Sequence, residues 1–191
     1  MSSILLTGPA VEPISLAEAK AFLRVAHDDD DGVITALIAG ARVHIEAQTR
    51  RALITQDWRL VRDVWPADGR LLVLPAPLRE FSAARIIRRD ASEHSVDLDL
   101  FIVDKAGAPA VLAFTPGTLP ISDRPAAGIE LDIEAGYGDA PADVPEPLRQ
   151  AIRLLVAHWY ENRGLTTIGH EVAVLPRTVA ALVAPYVVLA L

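Results

Sequence analysis

The stretch Asp28-Asp29-Asp30-Asp31-Gly32-Val33-Ile34-Thr35-Ala36-Leu37-Ile38-Ala39-Gly40-Ala41-Arg42-Val43-His44-Ile45 sets the reading of the chain. Val33, Ile34, Leu37, Ile38, Ala41 and Ile45 recur at three- and four-residue steps, which is the period of one helix face. The pattern predicts an amphipathic helix of about 20 residues ending near Arg50 or Arg51. The four aspartates lie at its start, where the helix macrodipole favours negative charge. They do not fit a calcium loop. With Gly32 at the glycine position, His27 falls on the first ligand and Ile38 on the last, where oxygen donors are required.

Upstream, Ser15 followed by Glu18 matches a capping box, and it predicts a short helix from Leu16 to Arg24 carrying Ala19, Phe22 and Leu23. Downstream, short β-prone runs alternate with Pro, Gly and Asp breaks. They are Gln56–Val61, Arg70–Leu74, Ala83–Arg88, Leu98–Val103, Ala110–Phe114 and Ile129–Glu134. After Gly136-Tyr137-Gly138-Asp139, Pro145 opens a third helix whose buried stripe is Leu148, Ala151, Ile152, Leu155 and Trp159, with Gly164 as its stop. A fourth runs from Pro176 to Val183. The expected fold is α+β: predominantly a bundle of four helices with a small inserted antiparallel β region of short strands packed on the helices. One domain is expected over 1–191. It has N-terminal helices over 14–51, a β-rich insertion over 53–135, a third helix over 144–164, and a C-terminal helix with an apolar tail over 176–191.

Composition removes several function classes. Of 191 residues, 51% are hydrophobic and 23% charged, which suits a folded chain. Lys plus Arg number 18 against 25 Asp plus Glu, a formal charge of −7 that argues against a protein built to grip phosphates. The absence of cysteine excludes disulfides, thiolate metal sites and Cys nucleophiles. No secretory signal is expected from Met1 to Gly8, and the apolar run Val179 to Leu191 is interrupted by Pro185 and too short to span a membrane. A soluble protein made in the cytoplasm follows. His170-Glu171-Val172-Ala173-Val174 lacks the second His of a zinc-protease helix, and no nucleophile elbow, P-loop or dinucleotide fingerprint is present. The glycines at 136 and 138 read as a turn. The expectation is therefore no enzyme, no metal and no cofactor.

Apolar surface is what stands out. The tail Tyr186-Val187-Val188-Leu189-Ala190-Leu191 is uncharged and follows a helix breaker, so it docks on its own core or on another chain. The third helix ends in His158-Trp159-Tyr160-Glu161-Asn162-Arg163, an aromatic and Arg-bearing cluster of the kind enriched at interfaces.

The order of these parts resembles the head-tail connector, or adaptor, proteins of tailed phages, prophages and gene-transfer agents. The resemblance rests on Ile14-Ser15-Leu16-Ala17-Glu18-Ala19-Lys20 with Leu23-Arg24-Val25, and on the Asp28 to Asp31 run leading to Leu37-Ile38-Ala39. It continues through Arg51-Ala52-Leu53-Ile54-Thr55-Gln56 with Trp58, Leu74-Pro75 with Pro77-Leu78, and Ala135-Gly136-Tyr137-Gly138. Its most distinctive block is Val144 to Ile152 followed by Leu155 to Arg163. It does not extend to 93–125. What it implies is a structural protein in the neck of a virion or phage-like particle, assembled in the host cytoplasm. It would form a ring of twelve copies beneath the portal protein, docking the stopper or tail-terminator protein and passing double-stranded DNA without sequence-specific binding. An acidic balance suits a channel wall past which DNA slides. Subunit contacts are expected from the helices Asp28–Arg51 and Leu148–Arg163, with Arg42, Arg50, Arg51, Tyr160 and Arg163 as candidates. Portal contacts are expected from Tyr186, Val187, Val188, Leu189 and Leu191, and the β-hairpins are expected to face the tail. A DNA-packaging accessory or nucleic-acid-binding factor is the alternative, and a small hydrolase with unrecognised carboxylate chemistry is a further one.

Overall fold

A computed structural model describes residues 2–162 and 176–189. The chain divides into two compact units. One takes residues 10–54 and 138–187, the other 2–9, 55–137 and 188–189 among the described residues.

The first unit is helical. Helix α1, Leu16–Leu23, begins at Ser15, whose hydroxyl accepts from the Glu18 amide while the Glu18 carboxylate accepts from the Ser15 amide, closing the predicted capping box. Helix α2, Asp31–Thr49, buries Ile34, Ile38, Ala41, Ile45 and Thr49 along one stripe. Val33 and Leu37, expected on that stripe, lie at its margin: Val33 is exposed and Leu37 half-buried. Helix α3, Glu146–Glu161, buries Leu148, Ala151, Ile152, Leu155 and Val156. Helix α4, Arg177–Val183, buries Val179 and Val183. Helix α2 packs on α3, α3 on α4, and α1 on both α2 and α3. Trp159 of α3 meets the His44 ring of α2 edge-on at 5.9 Å, beside Gly40.

The second unit holds eight strands, among the described residues, in two antiparallel sheets. The strands are β1 (Ser2–Thr7), β2 (Gln56–Arg62), β3 (Arg70–Val73), β4 (Leu78–Ile87), β5 (Glu93–Ser95), β6 (Ile102–Asp104), β7 (Ala110–Ala113) and β8 (Ile129–Ala135). The larger sheet runs β1-β2-β8-β4-β5 and the smaller β3-β7-β6. Strand β8 is its central template: Ile129, Leu131, Ile133 and Ala135 are buried while Glu130, Asp132 and Glu134 turn to the opposite face. Between the sheets Phe81 on β4 meets Phe101 at 5.2 Å, and Phe101, Phe114 and Trp65 continue the cluster. The Trp65 indole donates to the Pro120 carbonyl at 2.8 Å.

This corrects the expected helical bundle with a small β insert. The four helices are present, but the protein is mixed α+β, and its strands form two sheets with an aliphatic and aromatic core of their own. Two features hid this. Strand β1 pairs with β2 across more than fifty residues, Ser2 opposite Val61, and no local pattern announces such a partner. Strand β4 is ten residues long with two register shifts, so its alternation breaks and only its second half reads as a strand.

Candidate interaction surfaces

Lys20 organises the aspartate run. Its ammonium donates to Asp28 and to Asp31, each at 2.6 Å, and the Asp30 carboxylate accepts from the Tyr160 hydroxyl. The hydrogen bond to Asp28, then that to Asp31, raises the Lys20 pKa, and the same bond lowers that of Asp28. Among the described residues no group of three His, Asp or Glu side chains is placed to hold a metal ion.

A second network ties α1 to α3. Arg149 donates to the Pro13 carbonyl at 3.0 Å, to Glu146 at 2.8 Å and to Glu18 at 2.6 Å, while Arg153 reaches Glu146 at 2.5 Å. The Ser15 amide, helped by the Ser15 hydroxyl and the two arginines, holds Glu18 below the ordinary carboxylate range. The Arg153 hydrogen bond does the same for Glu146.

The predicted subunit-contact residues fall into different settings. Arg42 is engaged inside the helical unit, 2.8 Å from both Glu12 and Glu46. Glu46 also accepts from the Leu53 amide, so this cluster fixes the exit from α2. Arg51 donates to the Tyr186 carbonyl at 2.7 Å, and its guanidinium lies 6.0 Å from the Tyr186 ring centre. Tyr160 is half-buried against Asp30. Arg50, at the left-handed C-cap of α2, is exposed and makes no ion pair among the described residues. Arg163, with the 170–174 stretch, lies outside the described residues.

The apolar tail alternates. Val187 and Leu189 are exposed, the latter by 82%, whereas Val188 is buried and Tyr186 half-buried. Leu191 lies outside the described residues. The tail thus fixes one side chain and displays two.

The β unit carries surfaces that the pattern reading passed over. On the outer face of the larger sheet, Asp132 accepts two bonds from Arg59, at 2.8 and 3.1 Å, and one from Arg85 at 2.6 Å. Glu130 flanks them and Arg79 pairs with Glu134. Burial pushes the Asp132 carboxyl up, but the hydrogen bonds from Arg59 and Arg85 outweigh it and hold the pKa below normal. Alternating charge on a strand was the available signal, since Glu130, Asp132 and Glu134 stand at every second position of an apolar run. Strand β1 forms an open edge with Ile4, Leu5 and Leu6 each about half exposed. An apolar cleft of about 250 Å³ beside Trp65 and Phe114 is rimmed by the exposed Val64 and Ile121.

No helix among the described residues is long and apolar enough to cross a membrane. No curated protein matches the chain. Residues 13–74 match the model of the phage gp6-like head-tail connector protein family. Among solved structures, a chain in the neck of an empty gene transfer agent (GTA) particle, computed with C6 symmetry, superposes with a TM-score of 0.85 at 24% identity, covering 100% of this chain and 97% of that one. A chain of the virion of a native GTA particle does so with a TM-score of 0.85 at 23% identity and the same coverage. A chain in the neck of a native GTA particle, computed with C12 symmetry, gives 0.76 at 25% identity over 98% and 97%. Across residues 13–74, therefore, the chain carries the phage gp6-like head-tail connector signature, and over its whole length it has the fold of gene-transfer-agent neck chains.

Proposed function

We propose that this protein is a structural head-tail connector subunit. It forms a ring in the neck of a tailed phage or gene-transfer-agent particle, extends the DNA channel beneath the portal protein, and docks the next neck or tail protein. The observation that carries the reading is coverage: the match to a neck chain takes in 100% of this chain and 97% of that one. The sixfold and twelvefold symmetries of the matched necks support a closed ring, and twelve copies fit both.

In this reading the subunit works by shape and surface, without catalysis. The helical unit, with Arg50 and the ends of α2 and α3, supplies contacts between copies. The exposed Val187 and Leu189 anchor on the portal, and Val188 holds the tail to its own subunit. The excess of acidic residues keeps DNA moving because no dense cation array forms to hold its phosphates. Particles assembled without the protein test the role: electron microscopy is expected to show filled heads and free tails that do not join. Intact tailed particles without it would overturn the assignment.

A further inference from the structure

Strand β1, Ser2-Ser3-Ile4-Leu5-Leu6-Thr7, closes one side of the larger sheet, and no strand lies beyond it among the described residues. All six of its residues are exposed, with Ile4, Leu5 and Leu6 each about half accessible. The strand carries no charge and no proline. Such an edge offers its outward N–H and C=O groups to a further strand, without the charged or proline guards that edges normally carry.

The other side of the same sheet is guarded. Strand β5 has three residues and begins with Glu93, and it covers only the Arg85–Ile87 end of β4. The rest of β4 is broken by two register shifts, and the Lys105 ammonium donates to the Arg79 carbonyl. Pairing is hindered at that edge and left open at β1.

The residues of β1 say what fits there. Around Leu5, the run Ser3-Ile4-Leu5-Leu6-Thr7 reads the same in both directions by class: hydroxyl, three aliphatics, hydroxyl. Laid antiparallel on a second β1, it sets Leu5 opposite Leu5, Ile4 opposite Leu6 and Ser3 opposite Thr7. Every cross-strand pair is then aliphatic with aliphatic or hydroxyl with hydroxyl, and no charge faces another. The one irregularity is the register shift against β2 between Leu5 and Thr7, which a two-fold pair carries once on each copy.

We propose that the free chain pairs with a second copy through β1, joining two five-stranded sheets across a two-fold axis at Leu5. About five residues on each side make a small interface, of the weak and reversible class. The consequence rests on the ring reading above. The matched necks have cyclic symmetry, and equivalent copies about one axis meet head to tail, whereas β1 on β1 uses the same patch twice. The pair is therefore a form of the free chain that opens before a copy enters the ring.

The chain has no cysteine, so single cysteines report the pairing directly. Under mild oxidation, full-length Leu5→Cys is expected to give a disulfide-linked dimer. Ser3→Cys alone is expected to give none, because in this register it faces Thr7 and lies too far from its own copy, whereas Ser3→Cys mixed with Thr7→Cys links. In sedimentation the wild type is expected to dimerise reversibly. Leu5→Lys, which sets like charges opposite each other, is expected to dimerise about tenfold or more weakly, with its melting temperature kept. A wild type that stays monomeric at every concentration overturns the proposal. So does a Leu5→Cys chain that links no faster than Ser3→Cys, or one that links only to a different protein in purified particles. Adding Leu5→Cys to heads and tails made without the protein separates this from the parent reading. The reduced form is expected to join them and the oxidised dimer is not. Joining by both overturns the exclusion of the pair from the ring. Failure of the reduced form and of the wild type alike sinks the neck role and leaves the β1 pair standing.

Discussion

Asp132 is the residue on which the outer face of the larger sheet depends, because one carboxylate neutralises both Arg59 and Arg85. Replacing it by Ala removes the hydrogen bonds to both guanidinium groups and leaves Glu130, 3.2 Å from Arg59 and 3.6 Å from Arg85, as the one carboxylate they share, and chemical denaturation is expected to show a loss of about 1–3 kcal/mol. The pH dependence has a definite sign. The folded-state pKa of Asp132 lies below its unfolded value, so its contribution is complete above the unfolded value near 4 and is lost as pH falls through the folded pKa. Asp132→Asn is therefore expected to flatten the acid limb of a stability–pH curve. An acid limb as steep as that of the wild type would assign the effect to Glu18 and Glu146, whose pKa values are lowered as well. Gly69 is constrained differently. Its φ is +69°, and a Cβ there would lie 2.3 Å from the Phe114 carbonyl oxygen, which is backbone and cannot step aside. Gly69→Ala is expected to cost more than about 1 kcal/mol and to lower the melting temperature, with tryptophan fluorescence reporting through Trp65.

At the scale of elements, the C-terminal segment separates folding from attachment. Val188 is buried, so Val188→Ala is expected to destabilise the subunit by about 1–3 kcal/mol in thermal unfolding. Leu189 is 82% exposed, so Leu189→Asp is expected to leave stability within about 0.5 kcal/mol while reducing the copies retained on portal-bearing heads. Retention equal to wild type would remove the tail from the portal contact. The helices were legible because each carries its own evidence: a capping box at Ser15, a stripe from Ile34 to Ile45, a proline at the start of α3. The strands β2, β3, β7 and β8 were legible by alternation. Strand β1 and the first half of β4 were not, because pairing and bulges are set by residues far away in sequence. Among interface candidates, Arg50 and Leu189 are displayed, whereas Arg42 is occupied by Glu12 and Glu46, and nothing in the spacing of an arginine foretells its partners.

At the scale of the whole molecule, the acidic balance bears directly on DNA. The isolated chain is expected to bind duplex DNA weakly at physiological salt, with a log–log salt slope close to zero; a slope equivalent to several phosphates would favour the nucleic-acid-binding alternative. The amino-acid sequence by itself determined the four helices, four of the eight strands among the described residues, the lack of cysteine and of catalytic signatures, and a resemblance spread over most of the chain. Those features are local or compositional, and neighbouring residues suffice to define them. The tertiary structure alone decided that the strands build a second compact unit, that Val188 turns inward between two exposed neighbours, and that Arg62 is buried with the carbonyls of Ser2 and Val61 as its hydrogen-bond partners. Each of these depends on which distant backbone a strand meets and which side chains then share a face, and that is settled only when the chain closes on itself.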